Sequence, residues 1–285
     1  MFPIDFYVFF DFAMAVATSI YLQNWRKRIM KVLQKLTSAL MSGVMILSLG
    51  TGLQAASDRI RIDSKNFPDT KFRQTVSKVA DKNKDGYLTE SERNSVSCFL
   101  LEDVNDIKGI TYFKYLNQLT LFECGVESVD LRKNQYLSNF AALACGSLKS
   151  VTTNVFLNKF EVSFCPVTSV DLSASSYLRQ VKMIDDRKFK GTLDLSESDL
   201  LTDITVLNTP MRNIKFSNDA SLRYVDIEFT KLESLDISKC IKFDRLDALL
   251  LQDIGTNTIF VPYEILIKLY GKTEYSDDNV RIVFH

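Results

Sequence analysis

Residues 116 to 251 repeat one spacing of apolar residues at a period of about 21, and this repeat limits the folds open to the chain. The first position of six copies is always leucine: Leu116, Leu137, Leu157, Leu178, Leu201 and Leu222. A degenerate seventh copy runs through Leu246, Leu249 and Leu251. A unit this short cannot bury its own leucines, so successive copies must stack, each supplying one strand and a return path. The pattern therefore predicts a solenoid of six to seven coils.

The copies read L-x-x-L-x-L-x-x-[N/C]-x-L, a pattern that resembles the leucine-rich repeats. The ninth position of the first three copies is cysteine: Cys124, Cys145 and Cys165. In that family the ninth side chain points inward and bonds loop backbone, which implies three stacked, buried thiols here. A disulfide or a metal site is the alternative, but a thiolate cluster needs converging side chains, whereas successive coils give a ladder.

The stretch DKNKDGYLTESE, residues 81 to 92, has the spacing of an EF-hand calcium loop, D-x-[DN]-x-[DN]-G-x5-E. The candidate ligands of Ca²⁺ are Asp81, Asn83, Asp85, the carbonyl group of Tyr87, Thr89 and Glu92. Gly86 stands at the sixth position, where the loop turns sharply. A solvated acidic turn with the same letters is the alternative. A lone loop binds calcium weakly, at about 10⁻⁴ to 10⁻³ M, which suits a structural ion in an extracellular protein.

The flanks of this loop predict two helices. Phe72, Val76 and Val79 recur at helical spacing before it, and Thr89 with Glu92 forms a T-x-x-E capping box after it. The sequence therefore predicts an N-terminal helix-loop-helix over residues 56–108, followed by repeats over 109–260 and a C-terminal cap over 261–285. The predicted fold class is α+β.

The first 55 residues differ in composition from the rest. Residues 30–55 have the layout of a signal peptide, with basic Lys31 and Lys35, an apolar run through Leu49 and small residues at Ala55. Residues 1–29 are then an upstream extension, or a membrane segment over 4–22. An uncleaved signal anchor over 36–54 is a further alternative, and membrane attachment is expected only through this leader.

The segments "NFPDTKFR", "IKGITYF" and "VDL", together with the loop 81–92, resemble secreted leucine-rich repeat proteins of gut Firmicutes and Bacteroidetes. The resemblance covers residues 60 to about 245. It implies a secreted or cell-surface protein that binds other macromolecules and has no known chemistry. The fourth repeat departs from the family pattern, with "DDRKFKG" in place of the cysteine.

The residue inventory argues against catalysis and against nucleic-acid binding. The one histidine is His285, which leaves no internal histidine for a catalytic triad. Carboxylate pairs such as Asp185-Asp186 are interpreted as solvated turns, with an unrecognised hydrolase as the alternative. The 35 basic and 35 acidic residues balance, so no basic surface for nucleic acid is expected.

The strand residues between the leucines should project from the concave face of the solenoid. They include six apolar residues predicted as an exposed band that binds a protein or another extracellular macromolecule: Phe122, Leu143, Phe164, Ile184, Leu207 and Phe229. Another part of the chain covering this band is one alternative. A scaffold component that docks through its calcium-loop segment, as half a dockerin would, is the other.

Overall fold

The computed structural model describes residues 59–240, 248–252, 254–255, 258–261 and 281–284, with side chains beyond residue 240 only at 251, 254, 255, 259 and 260. These residues belong to the second of the two units into which the chain divides, Ala56–His285. The predicted extension 1–29, the predicted signal peptide 30–55 and most of the predicted C-terminal cap 261–285 lie outside them. Within the described part, no helix is long and apolar enough to cross a membrane.

Four short elements precede the solenoid: β1 (Ile60–Arg61), α1 (Thr70–Val79), β2 (Tyr87–Leu88) and α2 (Glu90–Asn94). Helix α1 begins at Asp69, whose carboxylate accepts a hydrogen bond from the Phe72 N–H at 2.8 Å. Helix α2 begins at Thr89, and the reciprocal bonds between Thr89 and Glu92 confirm the predicted capping box. Strands β1 and β2 pair in antiparallel register, with Ile60 opposite Leu88.

The main sheet contains eight described parallel strands in chain order, one per coil. Their bounds are β3 Cys98–Glu102, β4 Gln118–Phe122, β6 Asn139–Leu143, β8 Lys159–Ser163, β10 Gln180–Ile184, β12 Asp203–Leu207, β14 Tyr224–Glu228 and β16 Ala248–Gln252. Equivalent repeat positions pair without slippage, so that Leu119 lies opposite Phe140, and Ile227 lies opposite Leu251. The register confirms the predicted repeat, including its degenerate seventh copy.

The return paths carry shorter strands on the opposite side of each coil. Their bounds are β5 Ser128–Asp130, β7 Ser150–Thr152, β9 Ser169–Asp171, β11 Thr192–Leu195, β13 Asn213–Phe216, β15 Leu235–Asp236, β17 Thr258–Val261 and β18 Arg281–Phe284. They form three small parallel sheets, β5-β7-β9, β11-β13 and β15-β17-β18. The leucines of both sides fill the space between the main sheet and the return strands.

The sheet begins one strand earlier than predicted. Strand β3 falls within residues 56–108 and pairs with β4, placing Phe99 opposite Leu119 and Leu101 opposite Leu121. Phe99 and Leu101 are buried like the repeat leucines, because they occupy the same inward positions of the ladder. The segment therefore supplies both the first strand of the sheet and the cover over it.

Phenylalanine rings close the N-terminal end of the solenoid. Phe67, Phe72, Phe99 and Phe113 are fully or almost fully buried and meet edge to face or tilted, with ring centroids 4.8 to 6.4 Å apart. A 3₁₀ turn, Ile110–Tyr112, starts at Gly109 and sets Phe113 into this cluster. The end coil of a solenoid needs such a cover, because it has no neighbour on one side.

The described residues form a predominantly β-solenoid, and this part of the fold prediction is confirmed. Their two α-helices span ten and five residues. The α+β class is therefore not confirmed.

Candidate binding face and calcium loop

The outward face of the main sheet is the predicted concave face, and two rows of side chains cross it in register. The first row is Thr120, Ala141, Glu161, Lys182, Thr205 and Asp226. The second is Phe122, Leu143, Ser163, Ile184, Leu207 and Glu228. The strand registers place each residue directly opposite its equivalents on the neighbouring strands, as the repeat predicts.

The predicted apolar band combines residues of two different rows. Phe122, Leu143, Ile184 and Leu207 belong to the second strand row, while Phe164 and Phe229 follow their strands by one residue. The residues after the main-sheet strands from β3 to β14 have a left-handed backbone, with φ of 58° at Phe164 and 53° at Phe229. The Phe164 N–H donates to the Ile184 carbonyl of the next coil at 2.7 Å.

The exposure predicted for this band is wrong at its N-terminal end. Phe122 is 4% exposed and Leu143 is 1% exposed. Phe164, Ile184, Leu207 and Phe229 are half-buried. Residues of one row are stacked about 4.8 Å apart, so large side chains are enclosed by those of the adjacent strands. The apolar surface that remains accessible in the second row is centred on Ile184 and Leu207.

Charged groups surround this accessible part. Lys182 Nζ lies 3.1 Å from Glu161 Oε1 across two strands. On the next strands burial raises the pKa of Asp226, whose carboxylate accepts a bond from the Tyr224 hydroxyl at 3.3 Å. Burial and the neighbouring Asp226 raise the pKa of Glu228. The described C-terminal part of the face thus carries the carboxyl groups of Asp226 and Glu228, which suits basic groups on a partner.

The ninth repeat positions form a buried ladder that runs through the core. Its members are Cys124, Cys145, Cys165, Asp186, Thr209 and Thr230. The Cys145 N–H donates to Cys165 Sγ at 3.4 Å, the Cys165 N–H to Asp186 Oδ1 at 2.9 Å and the Asp186 N–H to Thr209 Oγ1 at 3.3 Å. Cys165, Asp186 and Thr209 therefore each accept the N–H of the ladder residue one coil before.

The cysteines of this ladder are free and buried, which confirms the prediction of stacked thiols. The hydrogen bond with Cys124 favours the thiolate of Cys145, but the bond with Cys165 and burial together raise the pKa of Cys145 to about 12. The thiols of Cys124 and Cys145 thus remain protonated at physiological pH. They act as small core side chains with a weak donor and acceptor.

The interpretation of Asp185-Asp186 as a solvated turn is wrong for Asp186, which is fully buried. It occupies the ninth position of the fourth repeat, where the side chain points into the core and is not accessible to solvent. Burial raises the pKa of Asp186 well above its ordinary value, although the Cys165 N–H opposes this shift. Asp185 lies beside it with a left-handed backbone and bonds Arg187 and Asn208. Both carboxylates thus bond residues of their own or the adjacent coil.

The side-chain oxygens of the loop 81–92 converge on its own backbone. Asp81 accepts from the Asp85 and Gly86 N–H groups at 3.2 and 3.0 Å, and Asp85 Oδ1 accepts from Tyr87 at 2.9 Å. Glu92 Oε1 reaches back to the Lys82 N–H at 3.0 Å. Gly86 has φ of 79°, the left-handed conformation that glycine adopts readily. Partial burial opposes ionisation, but bonds from Thr89 and Lys82 lower the pKa of Glu92.

Strand β1 covers one edge of the loop. It pairs with β2, and Arg59, next to it, bonds the Asp85 carboxylate and lies 4.9 Å from the centre of the Tyr87 ring. No group of three or more His, Cys, Asp or Glu placed to hold a metal ion is found in the part of the chain that the structure describes. The loop nevertheless offers carboxylate, amide, hydroxyl and carbonyl oxygens, the donors that calcium prefers. The residue set fits Ca²⁺ in chemistry, although Arg59 already bonds the Asp85 carboxylate.

No family model matches the chain, and no curated protein matches it significantly. Among solved structures it is similar to an internalin (inlF) from Listeria monocytogenes, with 20% identity and a TM-score of 0.46, over 73% of this chain and 60% of that one. It is also similar to the functional domain of InlJ from Listeria monocytogenes, described as including a cysteine ladder, with 15% identity and a TM-score of 0.41, over 74% of this chain and 58% of that one. The chain thus spans about 60% of the length of these structures. Its β-solenoid is established by its own strand register.

Proposed function

We propose that this protein is exported, has no enzymatic activity and binds a protein partner through its concave face. We further propose that a structural calcium ion holds the loop 81–92 closed. The observation that carries the partner proposal is the accessible apolar centre at Ile184 and Leu207, with charged groups around it. Partner-binding surfaces commonly combine an apolar centre with a polar rim. The acidic side near Asp226 favours a partner with basic groups there.

A paired substitution tests the binding face. Ile184 and Leu207 are register partners on β10 and β12, and both are half-buried, so Ile184→Asp with Leu207→Asp alters the face without emptying the core. Proteins captured by the purified chain would be identified and their affinities measured by calorimetry. We expect the double variant to lose at least tenfold in affinity, as central interface residues do. Glu197→Lys, an exposed change on a return path, is the matched control, and equal loss in both variants would contradict the assignment.

Thermal melting with and without calcium tests the loop. At 10 mM Ca²⁺ and a Kd near 1 mM, linkage predicts stabilisation by about 1.4 kcal/mol, or roughly 3 to 6 °C in Tm. Glu92→Gln should abolish this rise, because it removes the charge at the twelfth loop position. Arg59→Gln should enlarge the rise in melting temperature, because it removes the guanidinium group that bonds the Asp85 carboxylate.

An unchanged melting temperature in all three proteins would remove calcium from the proposal. A dockerin-like role for the loop is less well supported than a structural one. Strand β1 already pairs with the loop strand β2, the edge that a docking partner would need.

A further inference from the structure

Large apolar side chains are exposed along one line of the solenoid that lies outside the strand rows of the concave face. Among the described side chains, the exposed large hydrophobic residues are Tyr87, Tyr115, Tyr136, Val155, Phe156, Tyr177 and Leu200. All except Tyr87 fall at one place in consecutive coils, where the return path enters the strand. We call Tyr115, Tyr136, Phe156, Tyr177 and Leu200, with Val155 beside them, the aromatic stripe.

The repeat explains why these side chains face outward. Each of the five residues directly precedes the first leucine of its repeat, and that leucine is fully buried, as Leu137 is after Tyr136. Bonds between coils hold the positions in line: the Asn117 amide donates to the Tyr136 carbonyl, and the Asn158 amide donates to the Tyr177 carbonyl, both at 3.4 Å. The stripe is therefore a fixed feature of the scaffold.

The stripe has defined ends and its own period. The register places Ser95 and Ser221 at the equivalent positions of the flanking coils, so the apolar line stops at both ends. Within it the rings contact in two pairs, Tyr115 with Tyr136 at 4.8 Å and Phe156 with Tyr177 at 5.2 Å between centroids. Each pair spans two coils, so the pairs repeat about every 9.6 Å.

The size of the stripe argues against a folded partner or a second copy of the chain. The four rings are 40 to 50% exposed. This amounts to on the order of 350 to 400 Å² of aromatic surface. A stable interface needs about 800 Å² from each partner. A line one residue wide and about 19 Å long is better matched to a single extended chain.

The period identifies the conformation of that chain. A polyproline II helix turns once every three residues and rises about 3.1 Å per residue, so it repeats about every 9.3 Å. Aromatic-lined grooves bind such helices. The carbonyl groups of a polyproline II helix make no hydrogen bonds within the helix, so they can accept hydrogen bonds from a binding surface. The stripe supplies the hydroxyl groups of Tyr115, Tyr136 and Tyr177, and each amide of Asn117 and Asn158 has a second N–H. Six residues of polyproline II, about 19 Å, cover its length.

We propose that the aromatic stripe binds a proline-rich peptide in the polyproline II conformation, with prolines seated against the two ring pairs. This surface is separate from Ile184 and Leu207, so the proposal does not rest on the concave-face function.

The test uses the full chain and a fluorescent deca-proline peptide, with binding followed by anisotropy. A glycine-serine peptide of the same length is the control ligand. Tyr136→Ser with Tyr177→Ser removes one ring from each pair, and serine suits these positions because Ser95 and Ser221 occupy their equivalents. We expect saturable binding of deca-proline, at least tenfold weaker in the serine double variant. Tyr136→Phe with Tyr177→Phe keeps the rings and should weaken binding less than threefold.

Three results would overturn the proposal. The first is no saturable binding of deca-proline up to millimolar concentration, and the second is unchanged binding in the serine variant. The third is binding of cellohexaose instead of deca-proline, lost in the serine variant, which would assign the stripe to a glycan. A melting curve of each variant with an unchanged midpoint confirms that the comparison is between folded proteins.

Discussion

Asp186 places a carboxyl group in the core of the solenoid, where it is fully buried. One carboxyl oxygen accepts the Cys165 N–H, while Oδ2 has no hydrogen-bond partner among the described residues. A buried polar atom without a partner costs about 1 to 3 kcal/mol. Other copies have cysteine or threonine at the ninth position. Cys165 and Thr209 accept the N–H of the preceding ladder residue with an uncharged side chain. The fourth repeat is thus stabilised less than its neighbours at neutral pH.

This environment makes stability depend on pH. Because the pKa of Asp186 is raised in the folded state, folding binds a proton. The free energy of unfolding is then greatest below the ordinary aspartate pKa and decreases as pH rises towards the raised value. Asp186→Asn should increase the free energy of unfolding at pH 7 and reduce the pH slope, because the amide still accepts the Cys165 N–H but carries no charge.

Thermal melts of parent and variant between pH 4 and pH 8 measure this effect. A smaller slope should remain in the variant, because burial also raises the pKa of Asp226 and Glu228. Asp219→Asn, an exposed change on a return path, is the matched control, since this side chain lies outside the ladder. An undiminished slope in Asp186→Asn would show that another group causes it.

At the level of elements, the turn at Gly109 joins the N-terminal segment to the first full repeat. Gly109 has φ of 97°, and a Cβ placed there would lie 2.6 Å from the Phe67 ring and 2.7 Å from the Asn66 carbonyl oxygen. Both the backbone conformation and the space therefore require glycine. The segment "IKGITYF" depends on this residue to bring Phe67 over Phe113.

Alanine substitutions at three glycines should give a graded response. Gly109→Ala should cost about 2 to 4 kcal/mol, from overpacking and the left-handed backbone together. Gly86→Ala keeps the left-handed strain but has open space around it, so about 1 kcal/mol is expected. Gly146→Ala meets neither constraint and should be neutral. Urea denaturation measures all three, and a similar cost at Gly109 and Gly146 would refute this account of the turn.

For the whole molecule, stability depends on how the ends of the stack are covered. Phe67, Phe72 and Val76 are fully buried over the first coil, and each apolar side chain of this size contributes about 1.5 to 3 kcal/mol when buried. Asp69 also bonds the Asn105 N–H at 2.8 Å, which ties α1 to the loop after β3. The N-terminal segment therefore acts as the cover that every solenoid needs.

Removal of this cover should expose the first coil. A chain that begins at Ser97 should associate with itself or aggregate, because Phe99 and Phe113 become accessible. A chain that begins at Ala56 retains the cover and is the control. Light scattering after size exclusion and thermal melting measure the difference. A monomeric truncated chain with an unchanged midpoint would contradict the role of the segment.

The sequence by itself determined the solenoid and its register, because a 21-residue unit of spaced leucines can bury them only by stacking on equivalent units. It also determined the inward cysteines and the capping box at Thr89, which depend on positions within one repeat or one helix start. Only the tertiary structure decided the burial of Phe122 and Asp186 and the pairing of the rings in the aromatic stripe. Whether a side chain is covered, and which ring it contacts, depends on the side chains of the neighbouring coils. These are about 20 residues away in the chain, so the spacing of residues within one repeat does not reveal them.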